Sequence, residues 1–159
     1  MTTSTPRILL LDDDYASLAP LKELLETICQ YKVDLTAAAE ILEKLRYTRY
    51  DLLCVDTMIH PKSIDGKGNE VHNIHFDNIN WQLTGLAFVK FLREGQLITD
   101  QDQQSEQGTI ADVPIIVLSA VAHDSVDEYR PTEYPNTYHM EKPFNVEILI
   151  HKIQELLER

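Results

Sequence analysis

The sequence predicts a doubly wound α/β fold: a five-stranded parallel sheet with helices on both faces. Three observations carry this. Short, fully apolar runs at residues 8–11, 52–55 and 115–118 read as strands buried on both faces. Between them lie stretches whose apolar residues recur at helical spacing, and such alternation argues for a parallel sheet covered by helices. Each run also stops abruptly at a polar residue: Asp12, Asp56 and Ser119.

The elements follow in order. After the first strand at 8–11, Leu18, Leu21, Leu25 and Ile28 mark a helix. Pro20 fits it best if Ser17 is the N-cap, because a proline in the first turn forfeits no hydrogen bond; a start near Asp14 implies a kink. Residues 33–36 form the second strand. Residues 38–45 form the second helix, with Ile41, Leu42 and Leu45 on one face. The third strand is 52–55, and Thr84-Gly85 open a helix over 86–92. The fourth strand, 115–118, follows Pro114, and a short fifth lies at 138–140. Asn145 caps the last helix, whose stripe is Val146, Leu149, Ile150, Ile153 and Leu157. Two long loops, 59–84 and 99–112, interrupt the rhythm, and loops of this length are usually functional or disordered. The first carries Val71, Ile74, Phe76, Ile79 and Trp81, so it packs back on the body.

Composition bounds the function. The chain has 159 residues, 43% hydrophobic and 25% charged, which suits one soluble globular domain spanning 1–159 with no output domain. A net charge of −12 argues against direct nucleic-acid binding and against a basic membrane-surface helix. No apolar run approaches a membrane span, and the opening residues lack a signal peptide's apolar stretch. Cys29 and Cys54 both lie in apolar stretches, so a reducing, cytoplasmic setting is expected. The acid is unevenly spread: residues 99–159 hold 12 acidic and 4 basic groups. That predicts a partner with a basic contact surface and binding that weakens as salt rises.

In a parallel sheet all strand ends converge on one edge, where ligands bind in such folds. Asp12, Asp13, Asp14 and Asp56 would meet there beside Ser119, and the fifth strand runs into Glu141 and Lys142. Clustered carboxylates repel one another unless a hard cation such as Mg²⁺ takes them as oxygen ligands. A hydroxyl and a lysine are what the remaining oxygens of a phosphoryl group need.

The pieces Ile8-Leu9-Leu10-Leu11-Asp12-Asp13-Asp14, Tyr50-Asp51-Leu52-Leu53-Cys54-Val55-Asp56, Ile115-Ile116-Val117-Leu118-Ser119-Ala120 and Lys142-Pro143-Phe144 occur in this order across nearly the whole chain outside the two loops. Together they resemble the response-regulator receiver domain of two-component signalling, a flavodoxin-like fold. The resemblance implies that Asp56 accepts a phosphoryl group from a histidine kinase or phosphotransfer protein. It implies Mg²⁺ held by Asp12, Asp13, Asp56 and the backbone carbonyl of Met58. Ser119 and Lys142 would each take a phosphoryl oxygen, and the domain would catalyse only its own phosphorylation and dephosphorylation. The output would be contact with a downstream protein whose identity the sequence does not carry. Asp14 is expected to be a cap or an exposed residue.

Departures from the family pattern are local. Its proline four residues after the acceptor is His60 here, with Pro61 next, and a long connection from the third strand to the next helix follows. Its switch aromatic, three residues before the lysine, is His139. The fourth helix should be irregular, since 124–136 contains Pro131 and Pro135. Val121 and Met58 cannot orient a water, which implies a comparatively long-lived phospho-aspartate. His72 and His75 make only half a zinc site. Three other readings stand beside this one. A haloacid-dehalogenase-like phosphatase would use Asp12 and Asp14, but this chain lacks that family's acidic pair on a strand after the lysine, and the strand of Asp56 would go unexplained. A nucleotide-binding fold lacks its glycine-rich loop after the first strand. A pseudo-receiver would keep the fold and bind without being phosphorylated.

Overall fold

The computed structural model describes residues 4–97, 108–119 and 134–158. The strands β1 (Arg7–Leu11), β2 (Lys32–Thr36), β3 (Leu52–Asp56), β6 (Ile115–Ser119) and β7 (Thr137–Glu141) form one parallel sheet in the order β2-β1-β3-β6-β7. Within the sequence between β3 and β6 lie a small hairpin, β4 (Lys62–Ile64) and β5 (Glu70–His72), and a 3-10 turn at Trp81–Leu83. The helices are α1 (Tyr15–Thr27), α2 (Ile41–Tyr47), α3 (Thr84–Arg93) and the last helix, α4 (Val146–Leu157).

The period of two along each strand explains the apolar runs. Leu9, Leu11, Leu53, Val55, Ile115 and Val117 pack on one side with α2 and α3. Ile8, Leu10, Leu52, Cys54, Ile116 and Leu118 pack on the other with α1 and α4. Each such aliphatic side chain contributes roughly 1.5–3 kcal/mol on burial, so two facing cores fix the sheet between its helix layers. Arg93 closes the far end, donating from Nε to Thr137 Oγ1 at 3.1 Å and from Nη1 to the Ala111 carbonyl at 2.6 Å.

Helix α1 starts earlier than expected. Its N-cap is Asp14, whose Oδ1 accepts from Ser17 N at 3.2 Å, so Ser17 lies inside the first turn. The carboxylate outcompetes the serine hydroxyl because it stands three residues before a free amide. Pro20 is therefore interior and has no N–H to give to the Ala16 carbonyl, yet the helix runs unbroken to Thr27. Both residues are exposed, so the interruption falls on the solvent-facing side of the helix. Ile28 is the C-cap and 70% exposed, not part of the buried stripe. In α4, Asn145 caps as expected, with Oδ1 accepting from Glu147 N and Ile148 N. Its buried residues are Leu149, Ile153 and Leu156, while Val146 is exposed and Leu157 only partly covered.

The 59–84 stretch is more ordered than a loop. β4 and β5 pair antiparallel, and Asp65 shapes their turn by accepting from Lys67 N and Asn69 N, both at 2.9 Å. Gly68 takes φ +83° there, a left-handed conformation that costs glycine little. The stretch packs back on the body: Ile74 is buried, and Phe76 meets Phe91 edge-on at 5.0 Å. Ile74 N donates to Ala37 O and Ala39 N to His72 O, extending the end of β2 into the insertion.

Asn73, 1% exposed, is the clasp. Its Nδ2 donates to His60 O at 2.8 Å and to Ser63 Oγ at 3.0 Å, while Tyr15 OH reaches its Oδ1 at 3.4 Å. Replacing it with alanine leaves partly buried partners unpaired around a buried position, so Asn73→Ala should cost about 2 kcal/mol in urea melts. Amide exchange over 60–74 should quicken as well. A variant that melts and exchanges like the parent would show that Asn73 holds nothing.

The helix expected within 124–136 and the loop expected at 99–112 fall largely outside the described residues, as does Val121. Among the described residues no helix is long and apolar enough to cross a membrane.

Candidate functional site

The strand order turns outward on either side of β1 and β3, and the carboxyl ends of these two strands flank that switch point. Asp12 follows β1, Asp56 ends β3, Ser119 ends β6 and Lys142 follows β7. Parallel pairing brings all four to one edge. One candidate ligand oxygen from each of Asp12, Asp13 and Asp56 lies within 4.8 Å of the others. Lys142 Nζ sits 3.2 Å from Asp56 Oδ2 and 3.6 Å from Asp12 Oδ2, and its amide donates to Ser119 O at 2.8 Å.

Burial makes this cluster costly. Asp12 is 2% exposed; its Oδ1 accepts from Asp14 N at 2.8 Å, but its buried Oδ2 has no hydrogen-bond partner among the described residues. Burial, then the neighbouring Asp56 charge, pushes the Asp12 carboxyl up to about 7. Burial also raises Asp56, against the pull of Lys142 and of the Met58 amide, which donates to its Oδ1 at 3.3 Å. Burial works to lower the Lys142 ammonium, but the Asp56 and Asp12 charges outweigh it and its pKa lies above the usual lysine value. Three carboxylates thus face one ammonium. An all-oxygen donor set with a buried oxygen that accepts no hydrogen bond among the described residues fits a hard divalent cation. It is the only group of three candidate metal ligands found among the described residues, and His72 and His75 belong to none.

An open pocket of about 430 Å³ leads to the cluster, lined by Asp13, Asp14, Asp56, Met58, His60, Lys62, Ser63 and Lys142. Met58 therefore stands at the site's wall. Asp14 serves as a helix cap at the rim. His139 lies mid-strand in β7, paired in register with Val117, and is not among the residues lining the carboxylate pocket.

Several contacts had no sequence signal. Thr57 Oγ1, 1% exposed as a residue, donates to Ser119 Oγ at 3.3 Å. His60 N and Nδ1 both contact Asp13 Oδ2, at 2.7 and 2.8 Å, and the His60 ring stacks on Trp81 with centroids 4.0 Å apart. Gly85 packs directly on the backbone of Asp56 and Thr57, and its amide donates to Thr57 O at 3.0 Å. The departure at position 60 was legible; the partner it finds 47 residues away was not.

No protein-family model and no curated protein sequence matches the chain. Solved structures do. The receiver domain of the Francisella response regulator 1452 is similar at 19% identity, 98% coverage of both chains and TM-score 0.62. The receiver domain of the sensor histidine kinase PA1611 from Pseudomonas aeruginosa, whose structure has a magnesium ion coordinated in the active site cleft, is similar at 19% identity, 98% and 100% coverage and TM-score 0.62. A two-component response regulator from Clostridium difficile is similar at 18% identity, 98% coverage of both chains and TM-score 0.63. With this sheet order, these strand-end carboxylates and these structural neighbours, the chain has the fold of a response-regulator receiver domain.

Proposed function

We propose that this chain is a phosphorylation-dependent signalling domain in which Asp56 accepts a phosphoryl group from a phosphohistidine of a histidine kinase or phosphotransfer protein. The carboxylate cluster of Asp12, Asp13 and Asp56 beside Lys142, with the buried Asp12 Oδ2 lacking any hydrogen bond among the described residues and only 3.6 Å from the ammonium, carries the reading. An Asp56 carboxylate oxygen attacks phosphorus, an O–P bond forms and the donor's P–N bond breaks. The electron pair leaves on the imidazole nitrogen, which takes up a proton. Asp12, Asp13, Asp56 and the Met58 carbonyl would hold Mg²⁺, which when bound would supply the charge neutralisation that phosphoryl transfer requires. Lys142, already 3.2 Å from Asp56, pairs with a phosphoryl oxygen, and Ser119 donates its hydroxyl to another. Ser119 Oγ accepts from Thr57 Oγ1, and accepting does not prevent its own O–H from donating to the phosphoryl group. Output is contact with a downstream protein. The free thiols Cys29 and Cys54 suit a reducing compartment such as the cytoplasm.

Incubation with acetyl phosphate, with and without Mg²⁺, followed by intact mass tests this. The expected result is one Mg²⁺-dependent phosphoryl adduct that Asp56→Asn abolishes. Turnover of a phosphomonoester that needs Asp12 but not Asp56 would replace the reading with a phosphatase. No adduct and no beryllium fluoride binding would leave a pseudo-receiver.

A further inference from the structure

We infer that His60 is a positioning residue for Asp13, and that Trp81, through the His60 ring, reports whether the carboxylate cluster holds a cation. This rests on the reading of Asp12, Asp13 and Asp56 as the cation site. Asp13 has no strand to hold it: it follows β1 by two residues. The insertion supplies the grip instead. Both the amide and Nδ1 of His60 meet one oxygen, Asp13 Oδ2, at 2.7 and 2.8 Å. Two contacts on one oxygen fix the plane of a carboxylate and leave its second oxygen for another partner. The same division of labour is common behind metal ligands, where an outer hydrogen bond orients the inner one.

His60 is itself held from three directions. Its ring lies on Trp81 at 4.0 Å and 24°. Its carbonyl accepts from Asn73 at 2.8 Å. The preceding amide, Ile59 N, donates to Trp81 O at 3.1 Å. The side chain is 56% exposed, yet the contacts that fix it come from residues 73 and 81 of the insertion. The insertion therefore acts on the cluster as a fixed brace whose point of contact is His60.

Mg²⁺ titration of the full chain, followed in parallel by calorimetry and by emission of Trp81, tests this; Trp81 is the only tryptophan. In the parent the two curves should coincide. His60→Ala keeps the backbone contact but loses the ring, and should weaken Mg²⁺ binding by about tenfold, the lower end for loss of an outer-shell partner. It should also lose the emission change even where calorimetry shows saturation. His60→Asn restores a side-chain N–H without the stacked ring and should recover most of the affinity but little of the emission change. Parent-like affinity in His60→Ala would overturn the inference while leaving the cation site standing. Tighter binding would overturn it too, since the contact would then compete with the cation. A parent chain that binds no Mg²⁺ would instead remove the cation reading, and the brace with it.

Discussion

Replacing Gly85 with alanine should lower stability by about 3 kcal/mol or more and slow the modification of Asp56, although residue 85 carries no reactive group. The cause is space. A Cβ built on Gly85 would lie 1.8 Å from the Asp56 carbonyl oxygen, 2.7 Å from the Asp56 carbonyl carbon and 2.8 Å from Thr57 Cα. All three are backbone atoms, so no rotamer change relieves the overlap. The Gly85 amide is bonded to Thr57 O, which holds the start of α3 against this stretch of chain. Accommodating one methyl group must push α3 away from the end of β3 or displace the peptide that carries Asp56. For a domain of this size 1 kcal/mol is worth about 2–4 °C, so the melting midpoint should fall by roughly 6–12 °C. Gly66→Ala is the control: a Cβ there meets nothing within 4 Å, and its effect should stay within about 0.5 kcal/mol. Equal midpoints for the two variants would refute the account.

The same residue shows what the sequence does and does not make legible. Thr84-Gly85 reads as a helix start, but a need for glycine set by the approach of β3 is tertiary and has no local signature. Residues 8–11, 52–55 and 115–118 were legible as strands because both faces of the sheet are covered, leaving every position apolar. Asp12, Asp13 and Asp56 followed from those strands, since parallel pairing alone brings their ends together. Asn145 was legible because its carboxamide acts on amides two and three residues away.

The hairpin was not legible, for a different reason. β4 and β5 are three residues each and partly or fully exposed, with no apolar run to mark them. They exist because Asn73, Ile74 and Ala39 tie the stretch to Ala37, His72 and Pro61 across the fold. The His60–Asp13 and Thr57–Ser119 contacts, 47 and 62 residues apart in sequence, are likewise products of the assembled sheet. The cap of α1 fell between these cases: Asp14 and Ser17 are both good caps, and only geometry chose the first.

Without a divalent cation, stability should fall by roughly 2–3 kcal/mol as pH rises from 5 to 8, and Mg²⁺ should restore it. Asp12 has an ordinary carboxyl in the unfolded chain, but burial and the Asp56 charge push it up to about 7 in the folded one. The folded state therefore binds more protons across that window. Stability is full below the unfolded value and is lost as pH climbs through the folded one. Asp56 shifts in the same direction and adds to the loss. Asp65, lowered by the Asn69 and Lys67 amides, acts oppositely, but it does so below the ordinary carboxylate range and outside this window. Urea melts in chelator should show the decline for the parent, and Asp12→Asn should flatten most of it because the amide carries no charge to desolvate. At pH 8 in chelator the variant should accordingly be the more stable chain. Saturating Mg²⁺ reverses the order: a ligand at one hundred times its dissociation constant stabilises the folded state by about 2.7 kcal/mol, and only the parent keeps the full oxygen set. A parent chain whose stability rises from pH 5 to 8 in chelator would mean that the buried carboxylates are already compensated from within the protein. The Asp12 oxygen without a hydrogen bond would then be no argument for a cation.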